Sequence, residues 1–187
     1  MNPRSEKNRL VNASVIIRIV IWIALLPGGA VLGLWWDLSL FKSYLYSPLF
    51  HLATFIPGLV LLRMVFRISR STGRILARYG RDGELLRLET NRLVTQGPYG
   101  CMRHPMHFGL LFFPLAFALL IGSPSFILFI VPMEMLFMLV MIRLVEEPEA
   151  VKKFGADYLT YRQRVPMFNL RLSCLKTLLT DDIKPSH

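Results

Sequence analysis

Apolar residues gather in four long runs, and most polar residues lie between or after them. The runs cover about residues 15–34, 44–66, 105–121 and 125–145. Because a helix rises about 1.5 Å per residue, three runs can cross about 30 Å of hydrocarbon and the shorter third run nearly so. The pattern predicts an all-α integral membrane protein with about four transmembrane helices.

The turns at the ends of these runs indicate how the helices connect. Only Gly122, Ser123 and Pro124 separate the third run from the fourth. Such a short link requires a tight helical hairpin, so we expect the last two helices to be neighbours. The first run is broken by Pro27-Gly28-Gly29, but it lacks a small-residue cleavage pattern. We therefore expect a membrane helix there and not a cleaved signal peptide.

The composition agrees with a membrane protein and excludes most soluble classes. The chain of 187 residues is 53% hydrophobic and 18% charged, and its mean hydropathy is +0.46. A soluble domain would carry about a quarter charged residues. The net charge of +10 could indicate a nucleic-acid partner. Basic residues beside long apolar runs are instead typical of cytoplasmic flanks, so we expect no nucleic acid.

The distribution of Lys and Arg predicts the orientation. Three of these residues lie in 1–12, eight in 67–103 and eight in 143–187, whereas the connection at 35–43 has only Lys42. By the positive-inside rule, both termini and the long middle segment face the cytoplasm. The predicted organisation is two helices with a basic connector in 1–89, a core in 90–168 and an amphipathic tail in 169–187.

Arginines follow one face of the chain after the second run. Their intervals of three or four residues place all six on one side of a helix: Arg63, Arg67, Arg70, Arg74, Arg78 and Arg81. This predicts that the second helix continues beyond the membrane. The stripe either contacts anionic headgroups or a phosphate-bearing substrate, or only sets the topology.

Several ionisable residues fall within the apolar runs. Glu134 lies near the middle of the fourth run, where a carboxylate must face the protein interior or be protonated. It is either a functional group or a buried hydrogen-bonding residue. We expect His51 to be a structurally satisfied histidine, and Arg18 and Arg63 to extend to the cytoplasmic surface.

Candidate chemistry lies at the cytoplasmic ends of the hairpin. His104-Pro105 is typical of a helix start, whose free N–H groups favour a carboxylate or phosphate. His104 and His107 share a helix face beside Arg103, but the sequence suggests no third ligand, so we expect no metal site. The hairpin should bring His104 close to the acidic pair Glu146 and Glu147. Basic and acidic groups together suit a zwitterionic ligand.

These residues resemble the integral-membrane methyltransferases that include isoprenylcysteine carboxyl methyltransferase and phosphatidylethanolamine N-methyltransferase. The family pattern is Leu-Val-x-x-Gly-x-Tyr, Arg-His-Pro-x-Tyr-x-Gly, a membrane hairpin, Glu-Glu, and Phe-Gly-x-x-Tyr-x-x-Tyr ending near Val-Pro. Here it is LVTQGPY at 93–99, RHPMHFG at 103–109, EE at 146–147, FGADYLTY at 154–161 and VP at 165–166. The resemblance covers about residues 90–168.

The resemblance implies S-adenosylmethionine as the methyl donor, bound at the cytoplasmic ends of the last two helices. Its contacts, carried over by position, are Asn91, Arg92, Leu93, Val94, Tyr99, His104, Pro105, Met106, His107, Glu146 and Glu147. We expect His104 and nearby N–H groups to hold the methionine carboxylate, and Glu146 or Glu147 to take the ammonium or ribose hydroxyls. Tyr99 would pack on the adenosine.

The resemblance also implies a lipidic or prenylated acceptor that enters from the bilayer. The carboxyl-methylating branch is favoured, with Arg143 or Arg103 holding the acceptor anion. N-methylation of a phospholipid amine is the alternative, and it requires a base such as His107 or Glu134. His107 replaces the family's Tyr, which also leaves open a non-catalytic protein that retains the fold. Membrane sterol reductases share the Arg-His-Pro stretch but lack the Glu-Glu pair.

The tail and the two cysteines carry weaker signals. Apolar and polar residues alternate after Pro166, which is consistent with a helix on the membrane surface. We expect Cys174 to be a free thiol, with acylation as the alternative, and Cys101 to be a small packing residue. Neither forms part of a disulfide framework or a metal motif.

Overall fold

Helices make up all the regular structure of the residues described in the computed structural model, 3–83 and 90–179. For residues 3–19, 22 and 23, only the helical backbone is described. The helices are α1 (Pro3–Leu40), α2 (Lys42–Leu45), α3 (Pro48–Tyr79), α4 (Pro98–Cys101), α5 (Pro105–Leu111), α6 (Phe113–Ile121), α7 (Val131–Met141), α8 (Glu147–Phe154), α9 (Ala156–Arg164) and α10 (Leu172–Leu179). The predicted all-α class is confirmed.

One continuous helix contains α7 and α8. Two π-helical segments, Phe126–Ile130 and Ile142–Glu146, flank α7, and the second of them joins α7 to α8. We call the whole of Phe126–Phe154 the long helix. A π-helical turn holds an extra residue and is frequent at functional sites. The second of these segments ends at Glu146, the first residue of the acidic pair.

Among the residues that the structure describes fully, two helices are long and apolar enough to cross a membrane, α3 and the long helix. Ala24–Leu40 and Pro105–Ile121 are apolar but shorter. Two of the four predicted spans are therefore supported, and the other two stay predictions. Large apolar side chains are exposed along α1, α3 and the long helix, an arrangement expected of surfaces that face lipid.

The third apolar run is two helices and not one. α5 ends at Leu111 and α6 begins at Phe113, with a turn at Phe112. Pro114 explains the break, because it has no N–H to bond the carbonyl of Leu110 and its ring crowds that carbonyl. Both short helices pack against α3, which supports the hairpin along its length.

A buried carboxylate ties α1 to the hairpin turn. Gly122 ends α6 with a left-handed φ of 69°, and the long helix begins four residues later. Asp37, completely buried, accepts hydrogen bonds from the Ser125 N–H (2.8 Å) and the Ser123 hydroxyl (2.5 Å). An acidic group here also complements the positive end of the long helix. The hairpin turn is therefore anchored to a preceding helix.

His51 lies at the same turn and has a structural role. Its Nε2 lies 2.7 Å from the Leu45 carbonyl, and its ring packs directly on Gly122. A side chain at position 122 would collide with this ring. The prediction that His51 is a satisfied histidine is confirmed.

The arginine stripe occupies the last part of α3, as predicted. Arg63, Arg67, Arg70 and Arg78 are exposed on the helix, whereas Arg81 lies just beyond its end at Tyr79. The opposite face of α3 is buried through Ile68, Thr72, Ile75 and their neighbours. α3 thus carries a packed face toward the hairpin and a basic face away from it.

The tail and the cysteines differ from the predictions. α10 packs against α3 and α4, and it buries Cys174 and Leu178 in a cluster with Ile68, Met102 and Phe108. Cys101 and Cys174 form a disulfide, so the prediction of a free thiol at Cys174 is wrong. Apolar residues of α10 that indicated a surface helix are instead partly used for packing. The end of the tail, from residue 180, lies outside the described residues.

Gly33 allows α1 to approach the long helix closely, and an alanine there should destabilise the protein. A Cβ at Gly33 would lie 2.9 Å from the Phe126 Cβ and 3.2 Å from its backbone N, so the helices must separate. We expect Gly33→Ala to cost about 1–3 kcal/mol, measured as a lower unfolding temperature in detergent. Gly28→Ala is the matched control, because nothing lies within 4 Å of its new Cβ. Equal melting of the two variants would contradict this packing.

Candidate functional site

The two ends of the hairpin meet in a cluster of imidazoles and carboxylates. His104 precedes α5, His107 lies in its first turn, and Glu146 ends the second π-helical segment. His107 Nε2 is 2.9 Å from Glu146 Oε1, and His104 Nδ1 is 3.8 Å from Glu146 Oε2. The prediction that His104 and Glu146 are neighbours is confirmed. We call His104, His107 and Glu146 the hairpin cluster.

Arg103 links the cluster to the rest of the chain. Its guanidinium bonds the carboxylate of Glu147 through Nε (3.0 Å) and a second nitrogen, and it also bonds the backbone carbonyls of Arg162 (3.2 Å) and Val165 (2.6 Å). Only 9% of the Arg103 side chain and 3% of the Glu147 side chain are exposed. Because its donors are engaged inside the protein, Arg103 is poorly placed to hold a substrate anion, contrary to the prediction.

The segment after α9 returns to the same place. The Arg103 N–H donates to the Pro166 carbonyl (2.9 Å), and the His104 N–H donates to the Met167 carbonyl (3.3 Å). The Tyr161 hydroxyl donates to the Tyr99 carbonyl (2.5 Å). The Arg-His-Pro stretch and the Val-Pro ending are thus paired in space, which explains why these motifs belong together.

The acidic pair divides into two roles. Glu147 is buried and held by Arg103, with Arg162 Nε 3.5 Å from its other oxygen. Glu146 is more open, since a quarter of its side chain is exposed, and its oxygens face the two histidines. Glu146 is therefore the carboxylate that a ligand can reach.

The loop that was predicted to bind the cofactor lies beside the end of α3. The Asn91 side chain accepts a hydrogen bond from the Asp82 N–H (2.8 Å) and donates one to the Asp82 carbonyl (2.7 Å). These two bonds fix the start of the loop to the chain just after α3. Arg92, Leu93 and Val94 line a cavity of about 120 Å³ together with Arg78 and Tyr79 of α3 and Thr95 and Gln96. This volume is below the roughly 300–1,000 Å³ that is usual for ligand pockets.

Tyr99, Pro105 and Met106 lie around the cluster with different exposure. Tyr99 is buried against Ile75 and Val94, and burial raises the pKa of its phenol above the usual range. Its ring is thus part of the core and does not face open space. Pro105 is the buried first residue of α5, and Met106 beside it is half-buried.

Glu134 lies apart from the hairpin cluster, whereas Arg143 is close to it along the long helix. Glu134 precedes Glu146 by 12 positions, about 18 Å along a helix, and its buried carboxylate is close to Gly29 of α1. Among the described residues, neither oxygen of Glu134 has a hydrogen-bond partner. Arg143 is exposed about one turn before Glu146. Glu134 is a membrane-depth group at the α1 contact, and it is distant from the cluster.

The charges in the cluster are set mainly by burial. Burial and, to a smaller extent, the neighbouring His107 lower the pKa of His104 to about 4, although Glu146 and Glu147 oppose the shift. His104 is therefore a neutral imidazole at neutral pH, able to donate one N–H and accept at its other nitrogen. Its Nε2 is buried without a hydrogen-bond partner in the part of the chain that the structure describes. A neutral donor beside an accessible carboxylate can hold both ends of a zwitterion.

Sequence reasoning missed several residues that build the site. Arg162 was not singled out, although the basic residues that follow the tyrosine segment were a possible signal. The pairing of Arg103 with Glu147, and not with a substrate, has no local sequence signal. The π-helical segment that ends at Glu146 has none either.

A family model described as phospholipid methyltransferase matches residues 52–157 of the chain. The match contains α3, the hairpin, the hairpin cluster and Glu147. It also begins well before the stretch in which motifs were visible in the sequence. No curated protein and no solved structure matches the chain significantly.

Acidification should destabilise the fold through His104. The pKa of His104 is about 4 in the folded chain against 6.5 for a free imidazole. Between these values the unfolded chain binds a proton that the folded chain does not, so the free energy of unfolding falls as the pH falls from about 6.5 to 4. We expect a loss on the order of 3 kcal/mol, measured by denaturation in detergent. His104→Gln should flatten this slope; equal slopes would contradict the assignment.

Proposed function

Because this chain belongs to the phospholipid methyltransferase family, we propose that it transfers the methyl group of S-adenosylmethionine to a lipidic acceptor. The observation that carries the proposal is the hairpin cluster: an accessible carboxylate, Glu146, lies beside a neutral buried imidazole, His104. An amino acid zwitterion needs an anion for its ammonium and an N–H donor for its carboxylate. The cluster offers both within one contact distance.

Glu146 is the group that we assign to the ammonium of the donor. Glu147 is engaged by Arg103 and Arg162, and its replacement would act through them. His104 is assigned to the methionine carboxylate, because its buried Nε2 has no hydrogen-bond partner among the described residues. The donor residues thus come from both ends of the hairpin, and correct folding of the hairpin assembles the site.

The adenosine is assigned to the loop at Arg92, Leu93 and Val94. The cavity there, about 120 Å³, is smaller than a nucleoside requires. We infer that residues 93–96 shift outward when the donor binds. Asn91 and Gly80 would remain as the fixed base of that movement, since the N–H groups of Asn91 and Arg92 bond the Gly80 carbonyl (2.8 and 3.1 Å).

The first candidate acceptor is the carboxylate of an isoprenylcysteine-type lipid. Arg143 is exposed about one turn before Glu146, where it could hold an acceptor anion near the donor. A carboxylate is already a nucleophile and needs no base. Bound S-adenosylmethionine supplies an electrophilic methyl group on its sulfonium, and the chain supplies alignment, which accounts for much of the acceleration in such displacements.

N-methylation of a phospholipid amine is the second candidate, and His107 favours it. An ammonium must lose a proton before it can attack, and His107 contacts Glu146 at 2.9 Å in the cluster itself. An imidazole held by a carboxylate can accept this proton, whereas the tyrosine of the family pattern cannot at neutral pH. Glu134 is an unsuitable base because it lies about 18 Å away along the helix.

The proposed setting is a multi-pass membrane protein with the hairpin cluster and both termini in the cytoplasm. Nineteen basic residues flank that side and Lys42 alone the other. The Cys101–Cys174 disulfide indicates the opposite, because disulfides are rare in the cytosol. The charge distribution involves the whole chain, whereas the disulfide is a single bond. We therefore infer a cytoplasmic location in which cytosolic thiols reduce the disulfide. The lipid acceptor then enters from the bilayer between helices.

Single substitutions of the acidic residues should separate donor binding from folding. Glu146→Gln removes the accessible charge and should abolish binding of S-adenosylhomocysteine with little change in unfolding temperature. Glu147→Gln deprives buried Arg103 of its anion and should lower the unfolding temperature by several degrees. Glu149→Gln, an exposed charge loss on the same helix, is the matched control and should change neither. Calorimetric titration in lipid nanodiscs measures the binding, and normal binding by Glu146→Gln would refute the site.

The linkage of the transferred methyl group identifies the acceptor. The protein in native lipid is given S-adenosylmethionine with a labelled methyl group, together with mixed phospholipids and a prenylated cysteine. Label released by mild base as methanol means a carboxyl methyl ester and supports the first candidate. Label retained in a headgroup supports N-methylation, and His107→Tyr should then lower the rate at least tenfold. Absence of donor binding and of any product would support a non-catalytic protein that retains the fold.

A further inference from the structure

We propose that the hairpin cluster is a binding site for a divalent transition-metal ion, with Zn²⁺ as the ion that best fits its ligands. Two imidazoles and one carboxylate are presented by His104, His107 and Glu146. This is a ligand set that zinc uses when it keeps a fourth position open. The proposal does not depend on the methyl-transfer function.

The ligand atoms are already near the required separation. One atom from each of the three residues lies within 4.8 Å of the others, and His107 Nε2 to Glu146 Oε1 is the shortest pair at 2.9 Å. Zinc bonds of about 2.0–2.2 Å in a tetrahedral arrangement place ligand atoms roughly 3.3 Å apart. Small side-chain rotations would therefore complete the site without a change in the backbone.

The surroundings of His104 match the second shell of a metal site. If Nδ1, 3.8 Å from Glu146, binds the metal, then Nε2 faces Glu147 Oε1 at 3.6 Å. A metal-binding histidine almost always donates its other N–H to a carboxylate or carbonyl. Glu147 is in turn fixed by Arg103. A small ring rotation would give a metal–histidine–carboxylate chain, and it would satisfy the buried Nε2.

The elements that carry the ligands are rigid. His104 is held through its backbone N–H by Met167, and His107 lies one turn later in α5. Glu146 belongs to the continuous long helix, which packs against α6 in the hairpin. Three ligands on fixed backbone lose little conformational entropy on binding, which favours affinity for a small ion.

His107 makes this site a property of this chain and not of the resembled motif. The family pattern has tyrosine at this position, which would leave only one imidazole and one carboxylate at the hairpin end. Replacement of one residue therefore supplies the third ligand that the sequence alone did not indicate. It also supplies a residue at which the proposal can be tested while Glu146 and His104, the groups assigned to the donor's ammonium and carboxylate, stay in place.

Metal and methyl donor would compete for the same two residues. The ion would occupy Glu146 and His104, which we assign to the ammonium and carboxylate of the donor. If the proposed function is correct, Zn²⁺ should inhibit donor binding competitively. The competition rests on the proposed function, whereas metal binding itself does not.

The test is a titration of the chelator-treated full chain, in lipid nanodiscs, with Co²⁺ as a coloured probe and then with Zn²⁺. We expect one Co²⁺ per chain, with the visible bands of a four-coordinate site, and its displacement by Zn²⁺. His107→Tyr should weaken Zn²⁺ binding at least about tenfold and keep the wild-type unfolding temperature. Glu149→Gln, an exposed substitution three residues from Glu146 on the long helix, is the control and should bind as the wild type does. His107→Gln repeats the test if the tyrosine variant does not fold.

Two results would overturn the proposal: no stoichiometric Co²⁺ or Zn²⁺ binding by the wild type, or equal binding by His107→Tyr. Failure of the metal site can be distinguished from failure of the proposed function by S-adenosylhomocysteine. A chain that binds S-adenosylhomocysteine but no metal refutes only the metal site. A chain that binds metal at His107 but no S-adenosylhomocysteine refutes only the donor assignment.

Discussion

The ion pair between Arg103 and Glu147 is the interaction on which the rest of the site depends. It joins the beginning of the hairpin to its end, and the same guanidinium holds the end of α9 through the carbonyls of Arg162 and Val165. A buried charge that loses its partner costs about 3–5 kcal/mol. Removal of Arg103 would therefore release three segments of chain at once, and not a single contact.

This pair also determines which acidic residue is available for chemistry. The carboxylate of Glu147 is paired with Arg103, whereas the neighbouring Glu146 contacts the histidines. Consecutive residues of a helix point about 100° apart, so these two adjacent carboxylates face different partners. The two glutamates look equivalent in the sequence. In the structure, Glu147 supports the fold and Glu146 can bind a ligand.

Much of the framework could be predicted because it follows from local patterns. The long apolar runs indicated helices, and the short Gly122 link indicated the hairpin that places His104 beside Glu146. Asp37 could not be predicted, because its importance depends on where α1 meets the turn. The disulfide of Cys101 depends in the same way on the position of α10. Tyr99 was assigned to the ligand, yet it packs against Ile75 of α3. The family match starts at Leu52, so most of α3 belongs to the matched region.

The Cys101–Cys174 bond has a topological consequence. The two residues are 73 positions apart, and the stretch between them contains the hairpin, the hairpin cluster, Glu147 and α9. With the bond formed, this part of the chain is a closed covalent ring from which the amino-terminal helices and the loop at 90–100 extend as a single branch. One cut within the ring would leave a single covalently connected molecule, with both halves of the cluster still attached to each other.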